Sequence, residues 1–65
     1  MAKGYYKEVA AFLKANGYVY KEPAKGSHEK WAHEETGHIL IVPRHLKSRH
    51  TANSILKTAG VSKKF

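Results

Sequence analysis

Apolar residues near the start of the chain recur at helical spacing. Tyr6, Val9, Ala10 and Leu13 stand at i, i+3, i+4 and i+7, and Tyr5 and Phe12 widen the stripe. Gly17, directly after Asn16, is placed to end this helix in a left-handed cap. At about 100° per residue, Lys3, Lys7 and Lys14 fall on the opposite side, which on a lone helix is first of all a solvated face. The period then changes. "YVYKEP" is β-prone and closed by Pro23, "AKGS" reads as a turn, and "HEKWAHE" is a second strand candidate. Glu35-Thr36-Gly37 has the length and the glycine of a hairpin loop leading into "HILIVP", whose apolar run stops at Pro43. Helical spacing returns at Ala52, Ile55, Leu56 and Ala59, with Thr51 as the expected N-cap and Gly60 at the C-terminal cap position.

These elements predict an α+β fold in the order α-β-β-β-α, with residues 1–65 forming a single domain. Two amphipathic helices on one face of a three-stranded antiparallel sheet would bury both apolar stripes in two layers, leaving the other sheet face for solvent or a partner. Residues 61–65, "VSKKF", form a short basic tail that can fray.

Composition narrows the partners. A chain of 65 residues buries only about 60 % of the surface its unfolded form exposes, and without cysteine it has no disulfide or thiolate metal site to reinforce it. No run approaches the roughly 20 apolar residues of a membrane span, and "MAKGYYKEV" lacks the apolar stretch of a secretion signal. A soluble cytoplasmic protein is the expectation, without a membrane partner. Twelve lysines and arginines against five glutamates, with no aspartate, give a net charge of +7. A field of that sign on so small a surface favours polyanions, nucleic acid first and acidic proteins next.

Several short motifs add specificity in combination: "NGY" after the first helix, "KGSH" at the start of the second strand, "VPRH" after the third and "ILKTAG" in the last helix. In this order, over nearly the whole chain, they resemble the HicA-like (YcfA-like) toxins. The resemblance implies a fold similar to the double-stranded-RNA-binding domain and an mRNA interferase activity held off by a HicB-type antitoxin. It also assigns catalysis to the histidine of Gly-Ser-His, here His28. The chain differs from the family pattern in having Tyr18 where phenylalanine is usual, and in "LKSRHTANS" ahead of the last helix.

The chemistry is consistent with that implication. Attack of an RNA 2′-hydroxyl on its own phosphodiester needs a base, an acid and positive charge at the phosphate, and no cofactor. Histidine, which ordinarily titrates near pH 6.5, serves as either base or acid. His28 follows a Gly26-Ser27 turn whose backbone can approach a phosphate, and Lys25 and Lys30 flank it. By strand alternation Lys30 shares the His28 face while Trp31 points under the helices, although Glu29 and His33 then share the Trp31 side. On spacing alone, His28 is first a polar surface residue; the resemblance is what assigns it catalysis.

Arg44 and His45 are candidates for phosphate binding or for the complementary proton transfer, and capping a turn is the structural alternative for His45. Ser27 either donates to a phosphate oxygen or stabilises its own turn. His28, His33 and His38 are each five apart, so His28 and His33 leave one strand on opposite faces and do not converge on a metal. Among the aromatic side chains, most are needed for the core, leaving one or two at most for base stacking. The alternative to a ribonuclease is a non-catalytic RNA-binding module of the double-stranded-RNA-binding type.

Overall fold

The first apolar stripe becomes α1, Tyr6–Ala15, in the computed structural model, which describes residues 4–65. Val9, Ala10 and Leu13 are its buried residues, and Lys7 and Lys14 are exposed as the helical period requires. Lys3, expected on the same basic face, lies outside the described residues. Gly17 ends the helix at φ +90°, and the chain turns into β1, Tyr18–Pro23. β2, His28–His33, and β3, Ile39–Pro43, follow, and the strands form one antiparallel sheet in the order β1-β2-β3. The α-β-β-β-α order and the α+β class are those the patterning predicts.

The register explains how a nearly continuous apolar run in β3 serves a sheet covered on one side. Tyr20, Trp31 and Leu40 lie opposite one another, as do Glu29 and Val42. Paired residues share a face, so Trp31, Leu40 and Val42 join Tyr18 in one core with Val9, Ala10 and Leu13 of α1 and Ala52, Ile55 and Leu56 of α2. Both helices therefore cover the same face. The intervening residues, Val19, Ala32 and Ile39 in one row and Lys30 and Ile41 in the next, face the open side, where Ile39 and Ile41 are exposed. Burial accordingly alternates along β3 although apolarity does not.

The structure differs from the sequence reading at several element ends, β3 starting at Ile39 and not His38, and in the tail. The N-cap of α2, Arg49–Thr58, is Ser48 and not Thr51: Ser48 is extended, and its Oγ accepts the Thr51 N–H at 3.2 Å. The first turn, Arg49-His50-Thr51, is polar, so apolar spacing alone starts this helix one turn late. The second strand stops at His33, because Glu34 enters the hairpin loop and donates its N–H to the Gly17 carbonyl at 2.8 Å. Beyond Gly60 the chain takes no regular secondary structure, yet it does not fray from the body. Val61 and Phe65 pack against the core, with the Phe65 ring 4.8 Å from that of Tyr5, and the Phe65 N–H donates to Asn53 Oδ1 at 2.8 Å. No helix among the described residues is long and apolar enough to cross a membrane.

Candidate functional site

The turn between β1 and β2 carries Gly-Ser-His and is built by its backbone. Ala24 N–H donates to the His28 carbonyl at 2.8 Å and His28 N–H to the Lys25 carbonyl at 3.3 Å, while Gly26 takes φ +67°. An ideal Cβ on Gly26 would have nothing within 4 Å, so the glycine answers a backbone demand and leaves open space above the turn. The end of β3 pins this turn: Arg44 N–H donates to the Ser27 carbonyl at 2.8 Å, one residue beyond the His28–Pro43 pair. Lys25, Gly26, Ser27 and His28 are all exposed and, with Ala24 and Ile41, line an open cleft of about 640 Å³.

The His28 ring lies in that cleft with Nδ1 at 3.2 Å from the Lys25 carbonyl oxygen. A carbonyl can only accept, which assigns the Nδ1 proton to this contact and leaves Nε2 with its lone pair in the neutral ring. Lys30 is directed to β1, where its Nζ lies 3.0 Å from Glu22 Oε2 across the open face.

Arg44 and His45 stand elsewhere. Alternation along β3 sends the Arg44 side chain to the helix face, where its Nε lies 3.6 Å from Glu29 Oε2. Glu29 is 8 % exposed, and its other oxygen accepts from the Tyr6 hydroxyl at 2.6 Å and from Trp31 Nε1–H at 3.1 Å. Burial, and then the hydrogen bond and negative charge of Glu29, push the Tyr6 phenol up to about 12, against a lowering by Arg44. Arg44 and His45 line a second cleft of about 370 Å³ with Tyr6, Lys7, Leu46 and Lys47. The seven residues singled out from the sequence thus divide. Lys25, Gly26, Ser27 and His28 share one cleft, Arg44 and His45 another, and Lys30 is in an ion pair on the open face. Sequence reasoning missed Glu29 and Tyr6, although an acid on the tryptophan side of β2 was the signal that something had to satisfy it.

The remaining hairpin histidines have partners of their own. His33 Nδ1 accepts from the N–H groups of Glu35 and Thr36 at 3.1 and 3.3 Å, and His38 Nδ1 shares a hydrogen bond of 2.7 Å with the Tyr18 hydroxyl. Among the described residues no three His, Asp or Glu side chains form a group that could hold a metal ion. A further cavity of about 710 Å³, between α2 and the tail, is lined by His50, Lys57, Lys63 and Lys64 among others but by none of the Gly-Ser-His residues.

A family model described as the HicA toxin of bacterial toxin-antitoxin systems matches residues 6–61. The chain belongs to the HicA toxin family. That match runs from the first residue of α1 to just past the Gly60 cap, so it takes in the cleft at the β1–β2 turn, the second cleft except Gly4, and the whole sheet. No match was found among curated proteins or among solved structures. HicA toxins are generally ribonucleases that act within toxin-antitoxin pairs, which makes RNA and an antitoxin the partners the family suggests for this chain.

Proposed function

We propose that this HicA-family chain is an endoribonuclease that cleaves messenger RNA in the cytoplasm, with His28 as its proton-transfer residue, and that a HicB-type antitoxin neutralises it. The observation that carries the reading is the exposed His28 ring, fixed through Nδ1 to the Lys25 carbonyl with Nε2 directed away from that contact. In the neutral ring Nε2 takes the proton of a ribose 2′-hydroxyl. The 2′ oxygen then bonds to the adjacent phosphorus, the bond from phosphorus to the 5′ oxygen breaks, and a protonated group supplies the proton to that leaving oxygen. The products are a 2′,3′-cyclic phosphate and a 5′-hydroxyl, and atoms and charge balance without a redox partner.

Exposed Lys25 and the outward-facing Gly26-Ser27 backbone are suited to hold the phosphate as negative charge builds on it, and Ser27 can donate its hydroxyl. Lys30, on the same face as His28, adds a cation one pair of residues along the strand. Arg44 and His45 contribute phosphate contacts from the second cleft. None of these roles calls for a metal ion. An antitoxin that silences the chain has to cover the cleft at the β1–β2 turn, and an acidic surface would match the cationic side chains around it.

The test is cleavage of a labelled, mostly single-stranded messenger RNA fragment by wild type and His28→Ala in the presence of a chelator, both checked for folding. His28 is exposed and makes one side-chain hydrogen bond, so the variant is expected to fold and bind RNA while losing at least about 100-fold in turnover, the scale of a general acid–base group. Equal cleavage by both proteins would remove His28 from the mechanism. Binding without cleavage by either protein would make the chain an RNA-binding module.

A further inference from the structure

Five glutamates share this chain with twelve basic residues, and Glu29 is the buried one. A carboxylate on the core face of a sheet is costly unless its oxygens are satisfied. Here Tyr6 and Trp31 both donate to Oε1, which leaves Oε2 facing Arg44 Nε at 3.6 Å. The Arg44 backbone is fixed as well, through its N–H to the Ser27 carbonyl. With its backbone N–H bonded and its Nε in an ion pair, the half-exposed arginine lies in a cleft with Lys7, His45 and Lys47, where no acidic side chain is among the described lining residues. An unrestrained arginine loses rotamer freedom when a ligand immobilises it, and one already drawn to a carboxylate at Nε loses less.

We infer that Glu29 is a positioning residue that holds Arg44 ready for an RNA phosphate next to, and distinct from, the one attacked at His28. The inference rests on RNA being the substrate. His28 and Glu29 are consecutive in β2 and leave it on opposite faces, while Pro43 and Arg44 do the same in β3. A strand of RNA with its reacting phosphate in the His28 cleft therefore reaches the Arg44 cleft by passing around the shared end of β2 and β3. A contact of this kind binds substrate and transition state alike, so it acts on KM and leaves kcat unchanged.

The sign of one substitution separates this from a general charge effect. Glu29→Gln keeps an oxygen to accept from Tyr6 and Trp31 and removes one negative charge, so simple electrostatics predicts tighter RNA binding. Positioning predicts weaker binding, because Arg44 is released. The experiment measures anisotropy of a labelled, 2′-O-methylated single-stranded oligoribonucleotide, which binds but offers no attacking hydroxyl, across a salt series. Wild type, Glu29→Gln, Arg44→Gln and the double variant are compared.

The expected result is about 3- to 10-fold weaker binding for each single variant and no further loss in the double, since both remove one contact. Loss of the Arg44 phosphate contact should also reduce the salt slope by about 0.7. On cleavable RNA, KM should rise by the same factor at unchanged kcat. Binding by Arg44→Gln as tight as wild type overturns the inference, and that surface variant remains informative if Glu29→Gln does not fold. Tighter binding by Glu29→Gln, or additive losses in the double variant, overturns the positioning role. Absence of cleavage by wild type with the binding pattern intact would refute the ribonuclease reading and leave the Arg44 contact standing.

Discussion

Gly17 and Gly26 both have positive φ, but only one of them is crowded. A Cβ on Gly17 would lie 2.7 Å from His33 Nε2, and that ring is already held by the N–H groups of Glu35 and Thr36. Gly17→Ala therefore combines left-handed strain with displacement of the ring that organises the β2–β3 turn. Gly26→Ala, with open space around it, brings strain alone. Thermal melts should show Gly26→Ala destabilised by about 1 kcal/mol and Gly17→Ala by about 2 kcal/mol or more. A second expectation concerns Tyr6. Its phenol, raised to about 12 in the folded chain against an ordinary value of 10.0, binds its proton more tightly folded than unfolded. The associated stability is present below pH 10 and is lost as pH rises through about 12. Spectroscopic titration should find one tyrosine ionising late, and Tyr6→Phe should remove that component.

At the scale of elements, helical spacing located the two helices, β-prone composition between turn signals located the three strands, and local hydrogen bonding set the ends. The start of α2 shows the division. Ala52, Ile55 and Leu56 announce the helix by spacing, but the N-cap is decided by which hydroxyl reaches a free N–H, and Ser48 Oγ does so. Ser48→Ala should thus cost about 1 kcal/mol in a denaturant melt, whereas Thr51→Ala, inside the helix, should change stability by less than about 0.5 kcal/mol. Comparable losses in the two would return the cap to Thr51. In β3, the run of apolar residues gave the strand and concealed its facing. Leu40 and Val42 point inward and Ile39 and Ile41 outward only because β2 fixes the register.

Across the whole molecule, the net charge of +7 makes association with RNA an electrostatic event. Contacts to about four phosphates of a single strand would give a slope of about −2.8 in log affinity against log salt, and a roughly 50-fold loss between about 0.05 and about 0.2 M. If His28 serves in proton transfer and not as a phosphate contact, His28→Ala should leave that slope unchanged; anisotropy at a series of salt concentrations measures it. A change in slope on removing His28 would make it a cationic contact.

The sequence by itself determined the order of elements, the basic character and the Gly-Ser-His turn, because helical spacing, composition and turn chemistry are local properties that survive without a fold. It also carried the family, through motifs distributed along most of the chain. Only the tertiary structure decided which of the chosen residues meet. Arg44 follows Pro43, the partner of His28, yet strand alternation sends its side chain to the helix face. Glu29 looked like a fault in the alternation of β2, and became intelligible once α1 brought Tyr6 over it and β3 brought Arg44 beside it. Such contacts join residues far apart in sequence, and no local pattern encodes them because their energy exists only when three separate elements pack together.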